Sequence, residues 1–285
     1  MKMKKLDISN KIETEIVEIF EILTRLGKKL NFKYFVIGAF ARDVVLKYLY
    51  DITPIRRTSD IDIGIQLKSW KNYQELVDEL LAIKSFESTE LEHRFTYKNS
   101  NMIDLIPFGE IAGTDEKYKW KENSDFEMNV EGFNQALDLT VPVIIRLDPI
   151  LKIKLASLTY QVVLKLIAWR EERDQNEKDA IDLCTLMINY TDAGNFKRLY
   201  DKENDIIIKH NIDYENNSAR LLGRDIVKEV DRKIVDKIIQ ILKNELEGPD
   251  NRLIIKMMNR NYQNYEFEDY FKLTKSLYKG IVDRY

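Results

Sequence analysis

The segment 60–67, DIDIGIQL, restricts the fold of this chain more than any other segment. Isoleucine stands at three alternate positions, and Asp60, Asp62 and Gly64 stand between them. Because successive side chains of a β-strand point to opposite faces of its sheet, this alternation predicts a strand with one buried face. The opposite face then carries two carboxylates, those of Asp60 and Asp62, next to each other.

The first half of the chain alternates predicted helices with predicted strands. Apolar residues at three- and four-residue spacing indicate the helices, and β-branched or aromatic runs indicate the strands. The helices are predicted over residues 9–30, capped by Ser9 or Asn10, 39–50 and 70–84. The strands are predicted over residues 32–37, 60–67, 93–98, 101–108, 126–131 and 136–147, with Asn99 and Ser100 at a hairpin turn.

The chain changes character after Pro149. The later segments that favour helix are 158–172, 177–190, 195–209, 218–246, 250–262 and 266–280. Mixed structure followed by an all-helical region predicts an α+β protein made of two joined units. We place the two domains at residues 1–150 and 151–285.

Composition excludes several classes of protein. Lys and Arg number 45 against 48 Asp and Glu, so a net charge of −3 gives no sign of a dedicated nucleic-acid binder. The single cysteine, Cys184, excludes an internal disulfide, and the presence of only two histidines argues against a histidine-based metal cluster. The N-terminus has no apolar signal segment, and no apolar run reaches the roughly 18 residues that span a bilayer. We therefore expect a cytoplasmic protein without a membrane segment.

Three acidic residues and a glycine follow one another in an order that suits phosphate chemistry. A predicted strand ends at Gly38, where a helix begins, and Asp104 lies in a later apolar strand. If that strand lies beside segment 60–67, three carboxylates converge, and they repel one another unless cations hold them. Mg²⁺ takes oxygen ligands of this kind and shares them with phosphates. A glycine at a strand-to-helix turn also lets backbone N–H groups approach a phosphate.

This order resembles the polymerase-beta-like nucleotidyltransferase superfamily, whose signature is a Gly-Gly or Gly-Ser turn, an Asp-x-Asp pair and a distal third acid. The chain is similar in particular to bacterial nucleotidyltransferases related to the AbiEii/AbiGii-type abortive-infection toxins. The matching segments are VIGAFARDVVL (36–46), RRTSDIDIGI (56–65), DLIPFGEI (104–111), KLIAWREER (165–173), KDAIDL (178–183) and LLGRDI (221–226). Ala39 departs from the signature, because it stands at the second position of the turn.

The resemblance implies a nucleotidyltransferase fold, a mixed sheet with helices, followed by a helical domain. It also implies transfer of a nucleoside monophosphate from NTP to an acceptor with two Mg²⁺ ions. Asp60 and Asp62 would bind both ions, Asp104 would complete the catalytic metal site, and Gly38 with Ala39 would seat the phosphates. The expected acceptor is RNA (tRNA), a protein or a small molecule. A toxin–antitoxin or phage-defence role, with an antitoxin partner, follows from the same resemblance.

Four more residues complete the predicted nucleotide site. Arg42 and Arg57 flank the turn and the acidic strand, and a guanidinium offers paired donors to phosphate oxygens. Lys165 lies in an apolar helix, and the resemblance supports a contact with the triphosphate; a lysine at the helix rim is the alternative. Asp182, with Asp179 one turn away, is expected to position Lys165 or a nearby arginine, or else to form a purely structural ion pair.

Two other functions compete with this one. A non-catalytic nucleotide-binding protein or toxin–antitoxin partner of the same fold would have little reason to keep three mutually repelling acids. Nucleotidylation of small molecules of the aminoglycoside type shares the core but usually adds an acidic pocket, which the sequence does not show. No motif indicates the preferred NTP, the oligomeric state or the role of residues 227–285.

Overall fold

The computed structural model describes residues 6–56, 58, 60–120, 127–171, 177–210, 213–259 and 264–285, with the side chains of 209 and 210 left out. Its internal contacts divide the chain into two compact units. The first unit comprises Met1–Val44 and Thr58–Ser157, and the second comprises Val45–Arg57 and Leu158–Tyr285. The chain therefore passes into the second unit for a short stretch before the acidic strand. The division into domains at residue 150 stays a prediction.

The first unit contains the sheet. Its helices and strands are α1 (Thr14–Leu30), β1 (Lys33–Ile37), α2 (Gly38–Asp43), β2 (Asp60–Gln66), α3 (Trp70–Leu81), β3 (Phe86–Ser88), β4 (Arg94–Tyr97), β5 (Asn101–Phe108), β6 (Lys117–Lys119), β7 (Glu127–Asn129), α4 (Phe133–Asp138), β8 (Val141–Leu147) and β9 (Ile150–Leu155). The helix predicted over residues 39–50 ends as α2 at Asp43 and continues as a π-helical segment, Val44–Leu49.

The predictions for the first unit are wrong in part and incomplete. The strand predicted over 136–147 begins only at Val141, because Phe133, Ala136 and Leu137 have the three- and four-residue spacing of a helix and are buried in α4. The strand β9 was not predicted at all, although every second side chain of Ile150–Leu155 is buried, as expected for a half-buried strand.

The main sheet is mixed. The strand order is β3-β4-β5-β2-β1-β9-β8, and β6 pairs separately with β7. The pairs β2–β5 and β1–β9 are parallel, whereas β1–β2 and β4–β5 are antiparallel. The prediction of an α+β protein with a mixed sheet is confirmed.

The two faces of the central strand differ as the alternation predicts. Ile61, Ile63 and Ile65 are fully buried. The helix α1 lies against this face. Its Thr24 and Glu18 side chains form hydrogen bonds with Tyr34 and Tyr97, respectively, and both tyrosines project from the isoleucine face. The carboxylates of the acidic strand therefore project from the other face of the sheet.

The second unit is helical in the described part of the chain after Ser157. Its helices are α5 (Leu158–Glu171), α6 (Glu177–Asn189), α7 (Phe196–Asp201), α8 (Asp205–His210), α9 (Tyr214–Glu229), α10 (Arg232–Glu247), α11 (Arg252–Met258) and α12 (Phe267–Val282). The single helices predicted over 195–209 and 218–246 are each two helices. The second one breaks because Val230 adopts an extended backbone before α10 starts. No helix among the described residues has the length and apolar character needed to cross a bilayer.

Two glycines bring α9 and α12 together. A Cβ at Gly223 would lie 2.3 Å from the carbonyl oxygen of Leu277, and a Cβ at Gly280 would lie 2.0 Å from that of Arg220. Both obstacles are backbone atoms of the facing helix, which cannot turn aside as a side chain can. The helices therefore pack at a distance that only glycine permits at these two positions.

Candidate active site

Four neighbouring strands place Ile37, Asp62, Asp104 and Arg94 in one row across the sheet. Ile37 on β1 pairs with Asp62 on β2, which pairs with Asp104 on β5, which pairs with Arg94 on β4. Directly paired residues of adjacent strands project from the same face of a sheet. Asp60 lies two residues before Asp62 and shares that face. The structure thus brings the three predicted carboxylates together on one face.

Arg94 is the side chain that joins two of these carboxylates. Its Nε and Nη2 donate to Oδ1 and Oδ2 of Asp104 over 2.7 and 2.6 Å. The same Nη2 lies 3.9 Å from Oδ2 of Asp60. The hydrogen bond to Asp104 raises the pKa of the guanidinium against the opposing effect of burial, so Arg94 is a permanent cation. The Asp104 side chain is only 10% exposed, which makes this paired contact its main compensation for lost solvent.

Gly38 lies at the turn between β1 and α2, next to the side chain of Asp62. Its φ of +68° lies in the left-handed region that favours glycine. A Cβ at this position would lie 1.9 Å from Oδ2 of Asp62, so the missing side chain makes room for the carboxylate. Ala39, the next residue, is buried.

The two arginines predicted for phosphate have different outcomes. Arg42 is fully buried, and its Nε and Nη2 donate to Oδ1 of Asp43 over 2.8 and 2.5 Å. Arg57 lies outside the described residues. Between it and the acidic strand, the Thr58 hydroxyl oxygen accepts a hydrogen bond from the backbone N–H of Asp60 over 3.3 Å, which helps to set the start of β2.

Lys165 belongs to a separate ionic cluster inside the second unit. Its ammonium lies 2.9 Å from Oδ1 of Asp179 and 2.7 Å from Oδ2 of Asp182. Arg56 donates through Nε and Nη2 to both oxygens of Asp182 over 2.9 and 3.0 Å. Burial alone would lower the pKa of Lys165, but the charges of Asp179 and Asp182 outweigh it and raise the pKa. Lys165 is one of the cations that Asp179 and Asp182 were expected to position, and Arg173, another of them, lies outside the described residues.

Sequence reasoning missed Arg94 and Arg56. A turn at Asn99 and Ser100 would pair residue 98 with 101 and so place Phe95 opposite Asp104. In the structure Tyr97 pairs with Asn101, because Lys98 and Asn99 both have positive φ and the turn is one residue longer. A shift of one residue moves every side chain of a strand to the other face. The positive-φ preference of asparagine was the available signal for Arg94; for Arg56 there was none, since its partner lies 126 residues away.

The donor chemistry of the acidic face fits a divalent cation. Three carboxylates on one face are hard oxygen donors of the kind that Mg²⁺ binds. As the side chains stand in the described part of the chain, no group of three histidine, cysteine or acidic residues is arranged to hold a metal ion. At this face, Arg94 donates to both oxygens of Asp104.

No family model and no curated protein matches this chain. Among solved structures it is similar to the lincosamide antibiotic adenylyltransferase LnuA with lincomycin bound, at 17% identity and a TM-score of 0.36 over 61% of this chain and 96% of the other. It is similar to the antibiotic-resistance factor ANT(2'')-Ia, at 12% identity and a TM-score of 0.36 over 70% and 98%. It is also similar to the Thermotoga maritima CCA-adding enzyme complexed with tRNA, at 12% identity and a TM-score of 0.28 over 97% and 83%. Likeness this distant does not assign a function.

Proposed function

We propose that the protein transfers a nucleoside monophosphate from an NTP to an acceptor and releases pyrophosphate. One observation carries the proposal: Asp60, Asp62 and Asp104 share a sheet face beside the glycine turn at Gly38. Three acids on one face repel one another, and Arg94 offsets part of this repulsion at Asp104 and Asp60, so a bound cation would stabilise the set further. A turn without a side chain leaves space for phosphate oxygens beside them. Together these features support phosphoryl-type chemistry over an ordinary solvated sheet edge.

Mg²⁺ is the cofactor that the acidic face suits. Asp60 and Asp62 would hold two ions, and Asp104 would complete the site of the ion nearest the acceptor. The bound ions would neutralise charge on the phosphates during the displacement. The protein's own share is to fix the acidic side chains on rigid strands, so that little reorganisation is needed when the substrate arrives.

Asp104 is the residue that we assign to the acceptor. Its carboxylate oxygens are the ones that can take a proton from an attacking hydroxyl once Arg94 has left them. The attacking oxygen would form its bond to the α-phosphorus as the bond to the pyrophosphate oxygen breaks. Gly38 and Ala39 would face the phosphates through the backbone, because the side chain of Ala39 is buried.

Positive charge on the leaving pyrophosphate side is assigned to Lys165 and Arg57. The Lys165 ammonium stays protonated because Asp179 and Asp182 raise its pKa. It would have to leave both carboxylates before it could contact a phosphate. Asp182 is proposed as the residue that positions it, together with Arg56. Arg42 would have to leave Asp43 before it could reach a phosphate.

The acceptor is proposed from the same resemblance as the toxin-type role. RNA (tRNA), a protein side chain or a small molecule would each present the hydroxyl that the chemistry requires. A toxin–antitoxin or phage-defence component with an antitoxin partner is the biological setting that we propose.

The test is transfer of label from each of the four α-³²P-labelled NTPs, with Mg²⁺ and total RNA, a protein extract or a small-molecule extract as acceptor. We expect labelled product with one acceptor class, and a loss of about 10³-fold or more for Asp62→Asn, the scale on which charge stabilisation acts in phosphoryl transfer. Asp115→Asn changes an exposed aspartate of the same unit and should leave the rate unchanged. Nucleotide binding without label transfer to RNA, protein or small molecules would instead support the non-catalytic alternative.

A further inference from the structure

We propose that Arg94 takes the place of the metal cation at Asp104 while the protein is free of metal, so that every divalent ion must displace its guanidinium. This inference rests on the proposed function, because it concerns the same acidic face. It assigns Arg94 a role that none of the sequence motifs suggests. Arg94 is thereby a positioning residue that sets the affinity of the site for free cations.

The guanidinium of Arg94 already contacts Asp104 as a bound cation would. Both oxygens of Asp104 accept from it at 2.7 and 2.6 Å, and Asp60 lies 3.9 Å from the same nitrogen. A single guanidinium therefore contacts two of the three carboxylates that a metal would use. Paired charge-assisted contacts of this kind are the strongest hydrogen bonds that an arginine makes.

The position of Arg94 is fixed by the sheet and not by chance contact. Arg94 and Asp104 are direct partners on adjacent antiparallel strands, and Asp104 is in turn the direct partner of Asp62. The side chain of Arg94 is 27% exposed, whereas that of Asp104 is 10% exposed. The guanidinium thus has a solvent-facing side through which it can swing away, while the carboxylate stays where it is.

Competition of this kind lowers the apparent affinity for a cation. When a binding-competent arrangement is populated only part of the time, the apparent Kd rises in inverse proportion to the populated fraction. A paired contact that is formed for more than nine-tenths of the time therefore weakens cation binding about tenfold or more. Removing the guanidinium should tighten binding, which is the opposite of what loss of a merely structural residue would do.

The experiment is calorimetric titration of Mn²⁺ into chelator-treated full-length protein without nucleotide. Arg94→Gln should bind Mn²⁺ about tenfold or more tightly than the wild type. The control is Arg146→Gln, since Arg146 also donates through two nitrogens to one carboxylate, that of Glu21, in the same unit. Its Mn²⁺ affinity should match the wild type. Asp62→Asn should weaken Mn²⁺ binding both in the wild type and in Arg94→Gln.

A second variant keeps the test decisive if Arg94→Gln does not fold. Arg94→Lys retains the charge but cannot grip both oxygens, so its Mn²⁺ affinity should lie between those of the wild type and the glutamine variant. Equal or weaker binding by both variants, with wild-type binding still weakened by Asp62→Asn, would overturn the role of Arg94 and leave the metal site standing. Absence of Mn²⁺ binding in every variant would overturn the metal site, and this inference with it.

Discussion

The carboxylate of Asp62 leaves no room for a side chain at Gly38, in the turn between β1 and α2. A Cβ at residue 38 would lie only 1.9 Å from Oδ2 of Asp62, and the φ of Gly38 is +68°. Two independent constraints, one steric and one conformational, therefore require glycine at this turn. The relationship ties the first predicted motif of the chain directly to the second.

Gly38→Ala should destabilise the protein and displace Asp62. The backbone strain of a left-handed alanine costs about 1–3 kcal/mol, and the clash with the carboxylate adds to it. The control is Gly113→Ala, because Gly113 has a φ of +66° but nothing within 4 Å of its Cβ position. Urea unfolding should show a larger loss for Gly38→Ala, and nucleotide transfer should fall only in that variant. Equal losses of stability in the two variants would mean that the Asp62 carboxylate moves aside at no cost in free energy.

Lys165→Met should reduce both stability and affinity for NTP. It leaves Asp179 and Asp182 buried with less positive charge, and breaking a buried ion pair costs about 3–5 kcal/mol. Loss of the proposed phosphate contact should raise the KM for NTP about tenfold or more. Arg170→Met is the matched control, since Arg170 lies on the same helix but pairs with Glu171 near the surface. Lower stability with an unchanged KM would make Lys165 part of a structural cluster only.

Asp283→Asn should destabilise the helical unit at pH 7 and much less at low pH. Burial alone would raise the pKa of Asp283, but hydrogen bonds and charge from Arg220 and Arg224 outweigh it and lower the pKa from 3.8. A lowered pKa means that the carboxylate stabilises the fold above pH 3.8, and that this contribution disappears as the pH falls through the folded-state pKa.

The measurement is urea unfolding at pH 7 and near pH 3. We expect a loss of about 1–3 kcal/mol at pH 7, the scale of a hydrogen bond to a charged group, and a smaller loss at the lower pH. Asp201→Asn changes an exposed aspartate of the same unit and should show no such trend. An equal loss at both pH values would show that the ion pair with Arg220 is not the source of the stability.

Gly223→Ala should destabilise the protein although alanine is the better helix former. In an open helix this substitution gains up to about 1 kcal/mol. Here the Cβ would lie 2.3 Å from the Leu277 carbonyl oxygen, so α9 and α12 must separate, which costs about 1–3 kcal/mol or more. The thermal midpoint is a sufficient readout, and Gly280→Ala should act in the same direction. A midpoint above that of the wild type would contradict the close helix contact.

Local pattern was enough to predict the parts of the site that belong to single elements. The alternation of DIDIGIQL places Asp60 and Asp62 on one face, and the strand-to-helix change marks Gly38. The apolar surroundings of Asp104 identify a strand, and this strand does lie beside the acidic one. Periodicity is a property of neighbouring residues, so one sequence suffices to read it.

Pairing between elements was harder to predict, because it depends on register and packing. The sequence by itself determined the α+β plan, the helical second half and the three acids in order, since each follows from local spacing. Only the tertiary structure decided that Arg94, ten residues from Asp104, holds its carboxylate, because one extra turn residue sets the register. It also decided that Arg56 joins Lys165 at Asp182 across 126 residues, since nothing in local sequence specifies which distant side chain will share a buried charge.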